Sequence, residues 1–169
     1  MSEVERILDQ MDRAFSGDAW HGPPLKTVLE GMTAEDASNH AIADAHSIWE
    51  LVLHITAWKI IVRHELTGEK VDVTPEIDWP PVWETSEVAW KRAVENLDES
   101  QKRLREAASE LREDQLEEKP AARTGNSRYV MLHGVVQHDL YHAGQMAVLK
   151  KAIRISRQVT HGTGRGIHG

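Results

Sequence analysis

The stretch Val135 to Lys150, VVQHDLYHAGQMAVLK, constrains this chain more than any other. Its apolar residues Val135, Leu140, Ala143, Met146, Ala147 and Leu149 recur at steps of three and four, with no strand-like alternation, so the spacing predicts an amphipathic helix. His138 and His142 lie four apart, which puts both rings on one side of that helix, one turn from each other. Val135, His138, His142, Gln145 and Leu149 form one stripe, so the two imidazoles border the face that looks into a core. A neutral imidazole in such a place needs a polar partner. The spacing also suits two ligands of one metal ion.

The rest of the chain supplies further helices. Ser2 with Glu5 forms a capping box ahead of Val4, Ile7, Leu8, Met11 and Phe15, a first helix that Gly17 ends. Gly22-Pro23-Pro24 breaks regular structure, Leu25 to Leu29 suits a short helix, Thr33 with Asp36 resembles a cap, and Ala37 to Ala45 reads as a loop. Ser47 with Glu50 opens a second long helix, IWELVLHITAWKIIVRHEL, which stops at Gly68. On its apolar stripe His54 faces inward, with Trp58 one turn further. Gly68 to Thr85, with Pro75, Pro80 and Pro81, is a long connection that lets the next helix run either way. A third helix follows from about Glu87 to Leu111, and the fourth begins near Tyr129 after a second loop.

Four long amphipathic segments and no strand predict an all-α four-helix bundle with a long crossover between the second and third helices. Its length of 169 residues fits a single domain, expected over residues 1–160, with a flexible glycine-rich tail at 161–169. Bundles build metal sites from side chains on facing helices, so His54 can converge with His138 and His142.

At this point the chain resembles the DinB/YfiT-like superfamily of metal-binding four-helix bundles. The resemblance rests on AWHGPPL (Ala19 to Leu25), HSIWELVLHITAWK (His46 to Lys59) and LHGVVQHDLYHAGQMAVLKK (Leu132 to Lys151). It implies an up-down-down-up bundle, a metal triad of His54, His138 and His142, and a position near the pocket mouth for the loop carrying Trp20 and His21. It also implies a homodimer. His21 is then a pocket donor or an ordinary surface histidine. Trp58 walls the pocket or packs in the core, and Gln145 bonds a ligand or a group of the shell behind the metal ligands, or packs at the core edge. Asp139 points about 100° away from His138 around the helix and is not expected to act as a base. Trp79 and Trp83 serve an interface or cover the core.

Three imidazoles without an anionic ligand leave a dication its full charge, so open positions attract hydroxide or an exogenous thiolate. Imidazole suits several divalent transition metals, with zinc or nickel expected here. With no cysteine in the sequence, disulfides and thiolate ligands are excluded and thiol chemistry needs an external thiol. Members of the resembled superfamily include thiol-dependent transferases and proteins described as metal-dependent hydrolases. The expected function is transfer of a low-molecular-weight thiol to a small electrophile. Hydrolysis of small esters or amides, and non-catalytic metal or ligand binding in stress response, are the competing readings. A formal charge of −7 disfavours general nucleic-acid binding, and no apolar run is long enough for a membrane partner. The charged, amphipathic N-terminus is neither a signal peptide nor an anchor, which leads to an expected cytoplasmic location.

Overall fold

The computed structural model describes residues 1–120 and 125–162, the last three through their backbone alone. The expected tail therefore lies outside the described residues, apart from the final helical turn. Seven α-helices and no strand occur among the described residues: α1 (Glu3–Phe15), α2 (Leu25–Leu29), α3 (Ala34–Ser38), α4 (Ile48–Leu66), α5 (Pro75–Asp78), α6 (Glu87–Ser109) and α7 (Arg128–Gly162). None of the described helices is long and apolar enough to cross a membrane.

The starts of these helices follow from local chemistry. Both capping boxes form: Ser2 Oγ accepts from the Glu5 amide at 3.2 Å, and Ser47 Oγ accepts from the Glu50 amide at 3.2 Å. Each glutamate accepts from the cap amide in return, at 2.7 Å in both cases. Thr33 caps α3, whose last two residues, Ala37 and Ser38, fall in the segment read as a loop. Thr74 and Pro75 start α5 inside the long connection, with Pro at the first turn where its missing N–H costs nothing.

α1 and α4 each pack against both α6 and α7. Directions are set by side-chain pairs. Trp49 lies 5.2 Å from Trp90, and Lys59 reaches Gln101, so α4 and α6 run the same way. His54 meets His138, while Arg128 Nε donates to the Leu66 carbonyl at 3.1 Å, so α7 runs against α4. Asp12 receives Arg105 at 2.9 Å, and the Glu3 amide reaches Glu113 just beyond α6, so α1 opposes α6.

The apolar interior forms two clusters. One gathers α2, α3, the first half of α4, the start of α6 and Ala143 to Ile153. The other gathers α1, the end of α4, the end of α6 and Met131 to Val135. Between them lies a polar layer. Lys59 Nζ donates to Asp139 Oδ2 at 2.6 Å and to Gln101 Oε1 at 2.7 Å, and it sits 5.2 Å from the centre of the Phe15 ring. Both charged side chains are 1% exposed. Burial pushes the Asp139 carboxyl up, and the Lys59 ammonium opposes that rise. All four long helices meet at this layer.

Removing one member leaves a buried charge unpaired, whereas removing both leaves an apolar layer. Lys59→Met is expected to cost about 3–5 kcal/mol in urea unfolding, and Lys59→Met with Asp139→Leu to recover most of that loss.

Candidate metal centre

Three imidazoles converge between α4 and α7. His138 Nε2 lies 3.0 Å from His54 Nε2 and 3.1 Å from His142 Nε2. His54 comes from the middle of α4, while His138 and His142 stand one turn apart on α7, so the antiparallel contact brings them together. His54 and His142 are buried and His138 is half-buried.

Two of the rings are oriented by hydrogen bonds from their other nitrogen. His54 Nδ1 lies 2.6 Å from the Asp78 main-chain oxygen. A carbonyl only accepts, so Nδ1 carries the proton and Nε2 presents a lone pair. His142 Nδ1 lies 2.6 Å from Gln145 Oε1, which selects the same tautomer. The Asp78 carboxylate also lies 3.3 Å from His54 Nδ1 and accepts from the Trp58 indole at 2.7 Å. Trp79 stacks on His54 at 3.9 Å and on His46, across its other face, at 3.6 Å.

Burial lowers the basicity of all three rings. His138 is pushed down to about 3, first by desolvation and then by His142, His54 and Lys59. Desolvation also lowers His54, partly offset by Asp78, and lowers His142, partly offset by Gln145. The group is therefore neutral at ordinary pH, as metal ligands must be. No partner orients His138: with the proton on Nε2 it donates to the two bare nitrogens beside it, and with the proton on Nδ1 it joins them as a third lone pair for a cation. Nitrogen ligands at 2.0–2.1 Å around a tetrahedral ion are about 3.3 Å apart, close to the two separations that His138 makes here, and the ligand nitrogens of all three rings lie within 4.8 Å of one another. The donor set is positioned for a divalent metal.

A cavity of about 490 Å³ opens beside the histidines. Trp58, Val62, Val130, Val135 and Tyr141 give it apolar walls, and Lys59, Glu65 and Asp78 supply its charged groups. Of the residues singled out in the sequence, Trp58 both lines this cavity and bonds Asp78. Gln145 orients His142 and lines a second cavity of about 500 Å³ instead. Trp20 is fully exposed, His21 is exposed, and neither lines the cavity at the histidines. Asp139 turns away toward Lys59. Trp79 covers His54 directly, while Trp83 is 90% exposed.

Lys59, Asp78 and the stacking role of Trp79 were not anticipated from the sequence. Thr74-Pro75 is a helix start that marks α5, and a lysine within the apolar run AWKIIV marks a buried charge. No side-chain pattern announces the Asp78 contact, because a main-chain oxygen makes it.

The structure is a helical bundle with three imidazoles converging in its interior, a group that could hold a metal ion. The sequence model of the DinB superfamily matches residues 23–146, a span that includes all three histidines, and the chain belongs to that family. No curated protein and no solved structure matches it.

Gln145→Ala is expected to weaken metal binding about 10–100-fold in chelator competition, because the ring it orients is freed. Acidification gives a second test. The folded histidines titrate below the unfolded value of about 6.5, so the unfolded chain binds more protons as pH falls from there toward 3. Their contribution to stability is full above pH 6.5 and is lost through that window. Metal-free protein should melt at a lower temperature at pH 5 than at pH 7.5, and the drop should shrink in His138→Gln.

Proposed function

We propose that this protein is a metal-dependent transferase that joins a low-molecular-weight thiol to a small electrophile. One observation carries the reading: the convergent donor set is three neutral imidazoles with no anionic member, beside a largely apolar cavity. A zinc or nickel ion held by His54, His138 and His142 would retain its charge and favour the thiolate over the thiol. The sequence has no cysteine, so the sulfur comes from outside.

The chain's own residues have separable tasks. Asp78 and Gln145 keep protons on Nδ1 of His54 and His142, which holds both Nε2 atoms free to ligate. Trp79 fixes the plane of His54 by stacking. Trp58, Val62 and Tyr141 give an apolar body a place to bind and keep water from it. Lys59 is held by Asp139 and Gln101, so its charge stays at the cavity floor. The reading includes a cytoplasmic location and a homodimer.

The test is consumption of a small alkylating electrophile by metal-loaded protein across a panel of low-molecular-weight thiols. Product should form only with thiol and metal together, and His142→Ala should return the rate to background. Thiol-independent cleavage of an activated ester, lost in the same variant, would favour the hydrolase reading. Tight metal binding with neither activity would favour a binding protein.

A further inference from the structure

The outward face of α7 carries apolar residues that the bundle does not use. Tyr141, Val148 and Ile155 are 66%, 56% and 61% exposed. They lie at i, i+7 and i+14, so they share one side of the helix. Gly144 and Ala152 fill the same stripe, and a side chain placed at Gly144 would meet open space. The steps from 141 through 144, 148, 152 to 155 are three, four, four and three. The stripe is thus symmetric about Val148 in spacing, with small residues at 144 and 152 and larger ones at 141 and 155.

In a two-fold pairing residue i meets residue j and j meets i, so this spacing sets every member of the stripe against another member. In an antiparallel pairing Val148 faces Val148, Gly144 faces Ala152, and Tyr141 faces Ile155. The small pair lets the helices approach closely. Charge selects the same direction. Lys151, Arg154 and Gln158 are exposed on the C-terminal half of α7, whereas Gln137, Tyr141, Gly144 and Gln145 expose no charge on the N-terminal half. A parallel pairing sets each base beside its own copy. The antiparallel one carries the basic ends apart and lays each over an uncharged stretch.

The length of α7 points the same way. Ile153 is the last core residue, yet the helix continues to Gly162, about 13 Å further. In the antiparallel pairing this overhang runs along Tyr141 and Gln137 of the other copy, both of which line the cavity at the histidines. We infer that a second copy of this chain docks on α7, antiparallel about Val148, and that its overhanging helix forms the outer wall of the metal-site cavity, with the partner's Ile155 against Tyr141.

This rests on the homodimer reading above and names the surface and its consequence. Sedimentation of the full, metal-free chain tests that reading, and cross-linking tests the inference. Wild type should sediment at twice the 19.1 kDa chain mass at micromolar concentration. Val148→Glu should sediment as a single chain with unchanged helical content, since Val148 is exposed. The sequence contains no cysteine, so introduced thiols report cleanly. Val148→Cys should oxidise to a covalent dimer, whereas Tyr141→Cys and Ile155→Cys should link to each other when mixed and not to themselves. A monomeric wild type overturns both the homodimer and this interface. A dimer unaffected by Val148→Glu, or Ile155→Cys linking to itself in preference, leaves the homodimer standing and overturns the α7 pairing.

Discussion

The buried contact between Lys59 and Asp139 governs much of what this molecule can be. Two oppositely charged side chains, each 1% exposed, meet at 2.6 Å between α4 and α7, with Gln101 of α6 as the second acceptor. Such a pair gains little stability over apolar residues of the same size. Its effect is on alternatives. The apolar clusters on either side are held by non-directional contacts, and a helix slipping by one turn, about 5.4 Å, would exchange many of them for others. The same slip would leave an ammonium and a carboxylate buried apart, at a cost of several kcal/mol. The layer therefore fixes the register of α4 against α7. Those are the helices that bring His54 to His138 and His142.

Register alone does not make a ligand set. An imidazole offers either nitrogen, and an unoriented ring rotates. Here α5 and the turn after His142 remove that freedom. α5 brings the Asp78 main-chain oxygen to His54, Asp78 holds Trp58 through its carboxylate, and Trp79 lies flat on the His54 ring. Gln145, one turn beyond His142, does the equivalent work on the other helix. Burial then keeps the rings neutral, most strongly His138 at the middle of the group. Orientation and desolvation act together. Hydrogen bonds choose which nitrogen is bare, and exclusion of water keeps a proton from taking it.

What the sequence discloses divides along the same line. Features with a period or a fixed offset are legible: both capping boxes, the long amphipathic helices, and the inward placement of His54, His138 and His142. Features made by the main chain or by segments distant in sequence are not. The carbonyl at position 78 would look the same with any side chain, and Trp79 gains its role only because α5 folds back over α4. Lys59 lies between the two cases. Its place on the inner face of an apolar helix was readable, but its partner, 80 positions away, was not. Trp20 and His21 show the reverse limit. Their placement near the pocket came from resemblance rather than from any periodicity, and both are solvent-exposed.

The polar layer also decides the charge of the centre. Asp139 is the residue next to His138, and a free carboxylate so close would be an attractive fourth donor for a dication. Lys59 occupies it, and the turn of the helix points it the other way. The pair is internally neutral, so it neither supplies an anion to the three imidazoles nor leaves net charge in the bundle. The carboxylates left near an ion held there are those of Asp78, 3.3 Å behind the His54 ring, and Glu65 in the cavity wall. By pairing with that carboxylate of Asp139, one buried lysine aligns the helices that carry the ligands and leaves three imidazoles as the convergent donor set.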